Sequence, residues 1–260
     1  MNFSHYLPDT YKRILRLKRV IRNRPVAILL PGFSLAGLQK HIGDLKKIDI
    51  CYASVNNYAP LEDSILSKIG KHFTILMCSA NPDQMIEPIC SFLDRQEENV
   101  FISERLMFRA EGGHNLVKLY NKYDDKLLFF TSILDLNDKP NTEYPLHFLA
   151  QNSLSILLAF VIIGGASEVI LFGADGGKIS ADGLYFNNLS DSSKPHPDGF
   201  MPSDSLLRDT GWFNQVTPLM LERLGKLYGK EPDILNCSLH SHLNVFAKIS
   251  YDDAIKHLRR

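Results

Sequence analysis

The residues of this chain that could do chemistry are mostly small and neutral, with one carboxylate among them. Pro31-Gly-Phe-Ser34 follows the apolar run Val26-Ala-Ile-Leu-Leu30. Gly32 lets a backbone come close to a ligand, and Ser34 can cap a helix starting at Leu35. A helix N-terminus there favours a phosphate, although any strand–helix junction also needs a glycine and a cap. Asn56, Asn57 and Asn81 fall just after the next two apolar runs. An amide offers donors and an acceptor together, which suits ribose hydroxyls and base edges. Asparagine is equally a turn residue. Asn152 and Ser153 lie near the start of a greasy helix. They reach the same edge only if that helix begins close to them, and otherwise bond locally within it. Asp175, flanked by Gly176 and Gly177, can hold a sugar hydroxyl or cap its own turn.

These residues share one edge only if parallel strands deliver them there. The pattern alternates strand and helix from Val26 onward. Strands are expected over 26–30, 48–54, 72–78, 99–102, 126–130, 168–172 and 233–236. Between and after them, helical spacing runs over 35–45, 61–69, 85–93, 116–123, 146–163, 214–228 and 251–258. This predicts an α/β fold: a modified Rossmann-like, mostly parallel sheet with helices on both faces. In such sheets ligands bind outside the carboxyl ends of the strands. The polar stretch from Gly176 to Thr210 is too long for an ordinary connection, and it reads as a lid-like insertion over 176–212. The expected organisation is a basic amphipathic helix within 1–25, then one nucleotide-sugar-binding domain over 26–260.

Composition narrows the function classes. Lys+Arg and Asp+Glu both number 29, so no global field draws the chain to nucleic acid. Cys51, Cys78, Cys90 and Cys237 are scattered without a C-x-x-C spacing, which fits reduced thiols and a cytoplasmic location. The first residues lack the apolar core of a signal peptide. The most apolar stretch, 154–166, is shorter than the roughly 20 residues that span a bilayer. Lys12, Arg13, Arg16, Lys18, Arg19, Arg22 and Arg24 surround Ile14, Leu15, Leu17, Val20 and Ile21. Such a helix either packs on the sheet with a solvated basic face or rests on an anionic membrane surface. The chain has no Walker loop, no G-x-G-x-x-G, no G-x-S-x-G and no Asp-x-Asp pair. His240-x-His242 would share a strand face, but no third ligand is near in sequence, so no metal site is expected.

The pattern resembles the small bacterial sialyltransferases that use CMP-sialic acid, and the related pterin-pyrophosphokinase-like domains of carbohydrate-modifying proteins. Gly32, Ser34 and Leu35 match the Gly-Pro-Ser-Leu turn of those families, and Asn56 with Tyr58 matches their Asn near an aromatic. Asn81-Pro82 matches an Asn-Pro after the third strand. Gly165 through Asp175 matches Gly-x-x-Glu-Ile-x-Leu-x-Gly-x-Asp, the strongest piece. Asn152-Ser153 stands at a Thr/Ser-Ser pair, Tyr185 at a loop tyrosine, and 236–246 at the closing strand and loop. The likeness spans most of 26–250 as scattered short motifs. There are departures. Pro31 replaces an Asn, Phe33 a Pro and Gly177 a Tyr, while Trp212 stands at the general-base His. A base would then come from the lid, where His196, Asp198 and Asp209 are candidates; histidine has the suitable intrinsic pKa.

The expected function is metal-independent transfer of a sugar, of sialic-acid type by the resemblance, from a nucleotide donor to a glycan or other hydroxyl. Gly32 and Ser34 would meet phosphate, Asn56 and Asn81 the ribose or base, and Asn152, Ser153 and Asp175 the phosphate or sugar, with Tyr185 a nucleotide- or sugar-binding residue by the resemblance. No cofactor is expected beyond the donor itself. The expected partners are that donor and a glycan acceptor, with a homo-oligomer or peripheral membrane contact as further options. The alternatives are ATP- and Mg²⁺-dependent diphosphate transfer to a pterin-like alcohol, or a sugar-nucleotide fold kept for binding alone.

Overall fold

Four to five consecutive apolar residues recur in each of the central strands, the signature of strands buried on both faces. In a computed structural model of the chain, residues 10–56, 58–78, 85–104, 114–130, 152–176, 202–229 and 232–259 are described. The elements run α1 (Thr10–Ile21), β1 (Val26–Leu29), a 3₁₀ segment (Phe33–His41) leading into α2 (Ile42–Leu45), and β2 (Cys51–Val55). Next come α3 (Ala59–Leu61), continued by a π turn and a 3₁₀ turn to Ile69, then β3 (Ile75–Cys78), α4 (Ile86–Arg95) and β4 (Val100–Glu104). The chain continues with α5 (His114–Tyr123), β5 (Leu127–Phe130), α6 (Ser153–Ile163) and β6 (Glu168–Phe172). It ends with α7 (Pro202–Tyr228), β7 (Asp233–Asn236), β8 (Ala247–Lys248) and α8 (Tyr251–Leu258).

All eight strands form one sheet of order β5-β4-β3-β2-β1-β6-β7-β8, and every neighbouring pair is parallel. This is the expected Rossmann-like α/β architecture. Because successive side chains alternate across a strand, the sheet divides its apolar residues between two cores. Val26, Ile28, Ala53, Met77, Ile102, Val169 and Leu171 face α1, α6 and α7. Ala27, Leu29, Tyr52, Leu76, Phe101, Ile170 and Phe172 face the 3₁₀ segment, α3, α4, α5 and α8. Helix α6 is apolar all round, since the sheet and two helices enclose it; every residue from Leu154 to Ile163 is buried.

Several boundaries differ from the sequence expectation. The segment after β1 is 3₁₀ over Phe33–His41, with α-helix only over Ile42–Leu45. Its apolar residues Leu35 and Leu38 are three apart, the 3₁₀ period. Helix α6 begins at Ser153 rather than at 146, because the Asn152 side chain caps it by accepting from Leu154 N at 2.9 Å. Helix α7 begins at Pro202 and not at 214, so the last eleven positions of the 176–212 stretch are helical. Proline at the first helical position is already set at the helical φ, and polar composition hid the turn that follows. Residues 177–201 lie outside the described residues. Strand β8 is too short to leave a sequence signal.

Helix α1 takes the packed reading. Ile14, Leu17, Val20 and Ile21 enter the core, while Leu15 is 40% exposed. Its arginines turn inward to the loops at the amino ends of the strands. Buried Arg13 donates to the Asp124 and Leu127 carbonyls, pairs with the Asp124 carboxylate at 2.6 Å, and lies over the Tyr120 ring. Arg16 pairs with Asp125 at 2.5 Å, Arg24 with Asp49 at 2.7 Å, and Arg22 with Glu98. Lys18 and Arg19 remain exposed. Among the described residues no helix is long and apolar enough to cross a membrane.

Two predictions follow from this packing. Arg13→Ala strips a buried carbonyl of its donor and uncovers Tyr120, so it should lower stability by about 1–3 kcal/mol in urea unfolding. The cysteines set an alkaline limit. None of the four cysteines is in a disulfide. Burial pushes the Cys51 thiol up to about 11 and the Cys237 thiol up to about 12. A folded-state pKa above the unfolded one stabilises fully below the unfolded value, 9.0, and that contribution is lost as pH rises through the folded value. Between pH 9 and 11 the free energy of unfolding should therefore fall by a little over ~1 kcal/mol per pH unit for each thiol. Denaturant midpoints read this directly, and C51A/C237A should flatten the slope.

Candidate functional site

The chain builds outward from β1 to β5 and then returns to the other side of β1 with β6. The strand order thus reverses between β1 and β6, and the carboxyl ends of these two strands mark the switch point where α/β sheets bind ligands. Their ladder continues past the regular strands, with Leu30 N donating to Phe172 O at 2.9 Å and Gly32 N to Gly173 O at 3.1 Å. This closeness requires glycine on both sides. A Cβ on Gly32 would lie 2.2 Å from Gly173 O and 2.6 Å from Asp175 Oδ2. A Cβ on Gly173 would lie 2.2 Å from Leu30 O.

Asp175 is 9% exposed, and its carboxylate faces the β1 loop. Oδ2 accepts from Ser34 N at 2.9 Å, and Oδ1 accepts from the Ser34 hydroxyl. Ser34 Oγ also lies 2.5 Å from Ser238 Oγ, and Tyr251 Oη donates to Ser34 O at 2.7 Å. Burial pushes the Tyr251 phenol up, so it stays a donor. Ser34 therefore does not cap a helix from Leu35. It sits inside the 3₁₀ segment, whose N-cap, Gly32, makes no side-chain cap bond. Gly32, Ser34 and Asp175 are one packed cluster in which the carboxylate orders the loop.

A second group forms beside it, at the end of β2. Asn56 has φ +52°, a left-handed conformation that asparagine tolerates better than most residues. Its N–H donates to Met77 O at 2.7 Å, and its Nδ2 donates to Ser153 Oγ at 3.3 Å. Asn152 and Ser153 thus stand at the first turn of α6, over the carboxyl edge. That turn presents backbone N–H groups and the positive end of the helix dipole. The edge is stitched by two buried hydroxyls, Ser54 donating to Leu29 O at 2.9 Å and Ser103 to Cys78 O at 2.7 Å.

Composition and spacing alone do not bring the segment after β7 to this place. Ser238 meets Ser34, Ser241 Oγ donates to Ala174 O at 2.5 Å, and Asn236 Nδ2 donates to the same carbonyl at 3.2 Å. His242 N donates to Asp175 O at 3.1 Å. The sequence signals for it are the run of polar residues after a strand and the likeness of 236–246 to the closing strand and loop of the resembled families. Asn57, Asn81, Tyr185, His196 and Asp198 lie outside the described residues. Asp209 lies on α7, and Trp212 on the same helix is 37% exposed. Among the described residues no three His, Cys, Asp or Glu side chains converge as a metal site would need.

No family model matches this chain, and no curated protein matches it.

The close approach at the switch point predicts the outcome of a one-atom change. Gly32→Ala drives a methyl into a backbone carbonyl and should cost about 1–3 kcal/mol. Gly43→Ala, where a Cβ meets nothing within 4 Å, should be neutral or mildly stabilising. Thermal unfolding of the two variants side by side checks the contrast.

Proposed function

We propose that this chain is a glycosyltransferase-like enzyme that takes a nucleotide-activated sugar at the carboxyl edge and transfers the sugar to a hydroxyl acceptor without a metal. The observation that carries this reading is the meeting of Asn56 with Ser153 at the first turn of α6, next to the switch point. A helix N-terminus capped by Asn152 suits a phosphate, and the Asn56 amide suits a ribose hydroxyl or a base edge. Gly32, its N–H bonded to Gly173 O, keeps the β1 loop close to β6 beside that phosphate site. Ser34 and Asp175 hold that loop in shape, with the donor's sugar beyond them. By the family resemblance, Asn81 and Tyr185 join the nucleotide or sugar contacts, with a CMP-linked sugar as the donor class. Reduced thiols fit work in the cytoplasm.

The test is thermal stability against CMP, CDP, UDP, GDP and ATP, each with and without Mg²⁺. A ligand at about 100 times its dissociation constant adds ~2.7 kcal/mol. The expected result is a metal-independent shift with CMP. Asn56→Gly keeps the left-handed backbone and removes only the amide. It should weaken CMP binding about tenfold or more, roughly 1.4 kcal/mol, and leave the melting point of the free protein nearly unchanged. A shift confined to ATP with Mg²⁺ would replace this reading with diphosphate transfer, and no shift with any nucleotide would leave a fold without nucleotide-sugar chemistry.

A further inference from the structure

Transfer to a hydroxyl needs a group that removes the hydroxyl proton, and it must be held in place before it can act. The segment after β7 brings two histidines to the carboxyl edge. Ser241 between them turns inward to Ala174 O, so His240 and His242 flank an anchored residue and both are exposed. The two differ in how their backbones are held. His242 is gripped from both sides, its N–H donating to Asp175 O at 3.1 Å and its carbonyl accepting from Asn214 Nδ2 at 2.9 Å. Asn214 also closes the far side of the turn, its Oδ1 accepting from Asn244 N at 2.9 Å. These bonds leave the imidazole itself uncommitted among the described residues.

The placement is specific. His242 is bonded directly to the peptide of Asp175, the residue whose carboxylate orders Ser34 at the switch point. It is therefore tied to the end of β6, one strand from the β1 loop and two from Asn56. Imidazole is the side chain most often used to take a proton from a reacting group, provided it is positioned within reach of that proton.

We infer that His242 is the general base of the transfer, an assignment that rests on the proposed donor site. As the acceptor oxygen bonds to the anomeric carbon, the bond from that carbon to the donor phosphate oxygen breaks. Its electron pair leaves with the nucleotide. The acceptor proton passes to the His242 ring and from there to solvent. Asn214 acts through His242 as a positioning residue.

The test has two arms on the full chain. In the first, diethyl pyrocarbonate modification is followed by peptide mass spectrometry with and without saturating CMP, and thermal shift confirms binding in the same sample. CMP should slow modification of His242 fivefold or more and leave His72, bonded to Glu62 beside β3, unchanged. In the second, CMP-N-acetylneuraminate and lactose are the probe. H242Q should lower transfer about 10²–10⁴-fold with the CMP shift intact, and H240Q should stay within about twofold of the parent, consistent with a single base. A normal CMP shift with unprotected His242 overturns the assignment and leaves the donor site standing, as does full transfer by H242Q. Absence of any CMP shift removes the donor site and the assignment together. Where this donor and acceptor give no transfer in the parent protein, the protection result decides.

Discussion

The backbone contact between the ends of β1 and β6 is the constraint on which the rest of the edge depends. Two glycines allow the strands to keep bonding past their regular ends, and the space a side chain would take is filled instead by the Asp175 carboxylate. That carboxylate fixes Ser34 through both its amide and its hydroxyl. Everything attached to Ser34 is then fixed as well. Ser238 brings in the segment after β7, and Tyr251 brings in α8, stacking on Phe172 with Gly37 beneath its ring. Segments more than 200 residues apart meet at one serine.

Closure at this point has a consequence for where a ligand can go. The crevice between β1 and β6 is occupied from within by Asp175 and Ser34, so the open polar groups lie one strand over, where β2 ends under the first turn of α6. Helix α6 can stand there because it is apolar on every side, and it is held by the sheet, α1 and α7 together. At Gly164, where α6 ends, a Cβ would lie 2.4 Å from Ile21 Cδ1, so α1 and α6 approach as closely as a glycine permits. A rigid helix gives its N-terminal turn a fixed position, which is what a phosphate site built from backbone N–H groups requires.

The fold was largely legible in the sequence because parallel strands buried on both faces are written as unbroken apolar runs. Val26–Leu29, Leu127–Phe130 and Glu168–Phe172 stand close to where those runs place them. Legibility failed where the deciding contact is distant or the composition is polar. Ser34 reads as a helix cap because its partner, Asp175, is 141 positions away. The first turns of α7 read as loop because Pro-Ser-Asp-Ser resembles one. Asn152 and Ser153 carried the right conditional, that they matter if the helix starts beside them, and Asn152 does cap its first turn. His240 and His242 read from spacing only as metal ligands, since that spacing says nothing of the backbone tie of His242 to Asp175.

Charge is sorted between the two edges of the sheet, and this explains how a chain of zero formal charge can be locally uneven. Helices antiparallel to the strands bring their C-terminal ends to the amino edge, where the dipole favours cations. There Arg13, Arg16, Arg22 and Arg24 meet Asp124, Asp125, Glu98 and Asp49, while Arg95 meets buried Glu62 and His257 meets Glu168. These pairs bind the ends of elements to one another. The carboxyl edge around the switch point is instead built mainly of hydroxyls and amides, with Asp175, His240 and His242 among them and the Lys248 ammonium donating to Ser241 O. Its hydrogen bonds are short-range and directional. An edge of that kind distinguishes hydroxyl-rich ligands by geometry more than by net charge, and the amino edge, where the ions are spent on structure, keeps that geometry still.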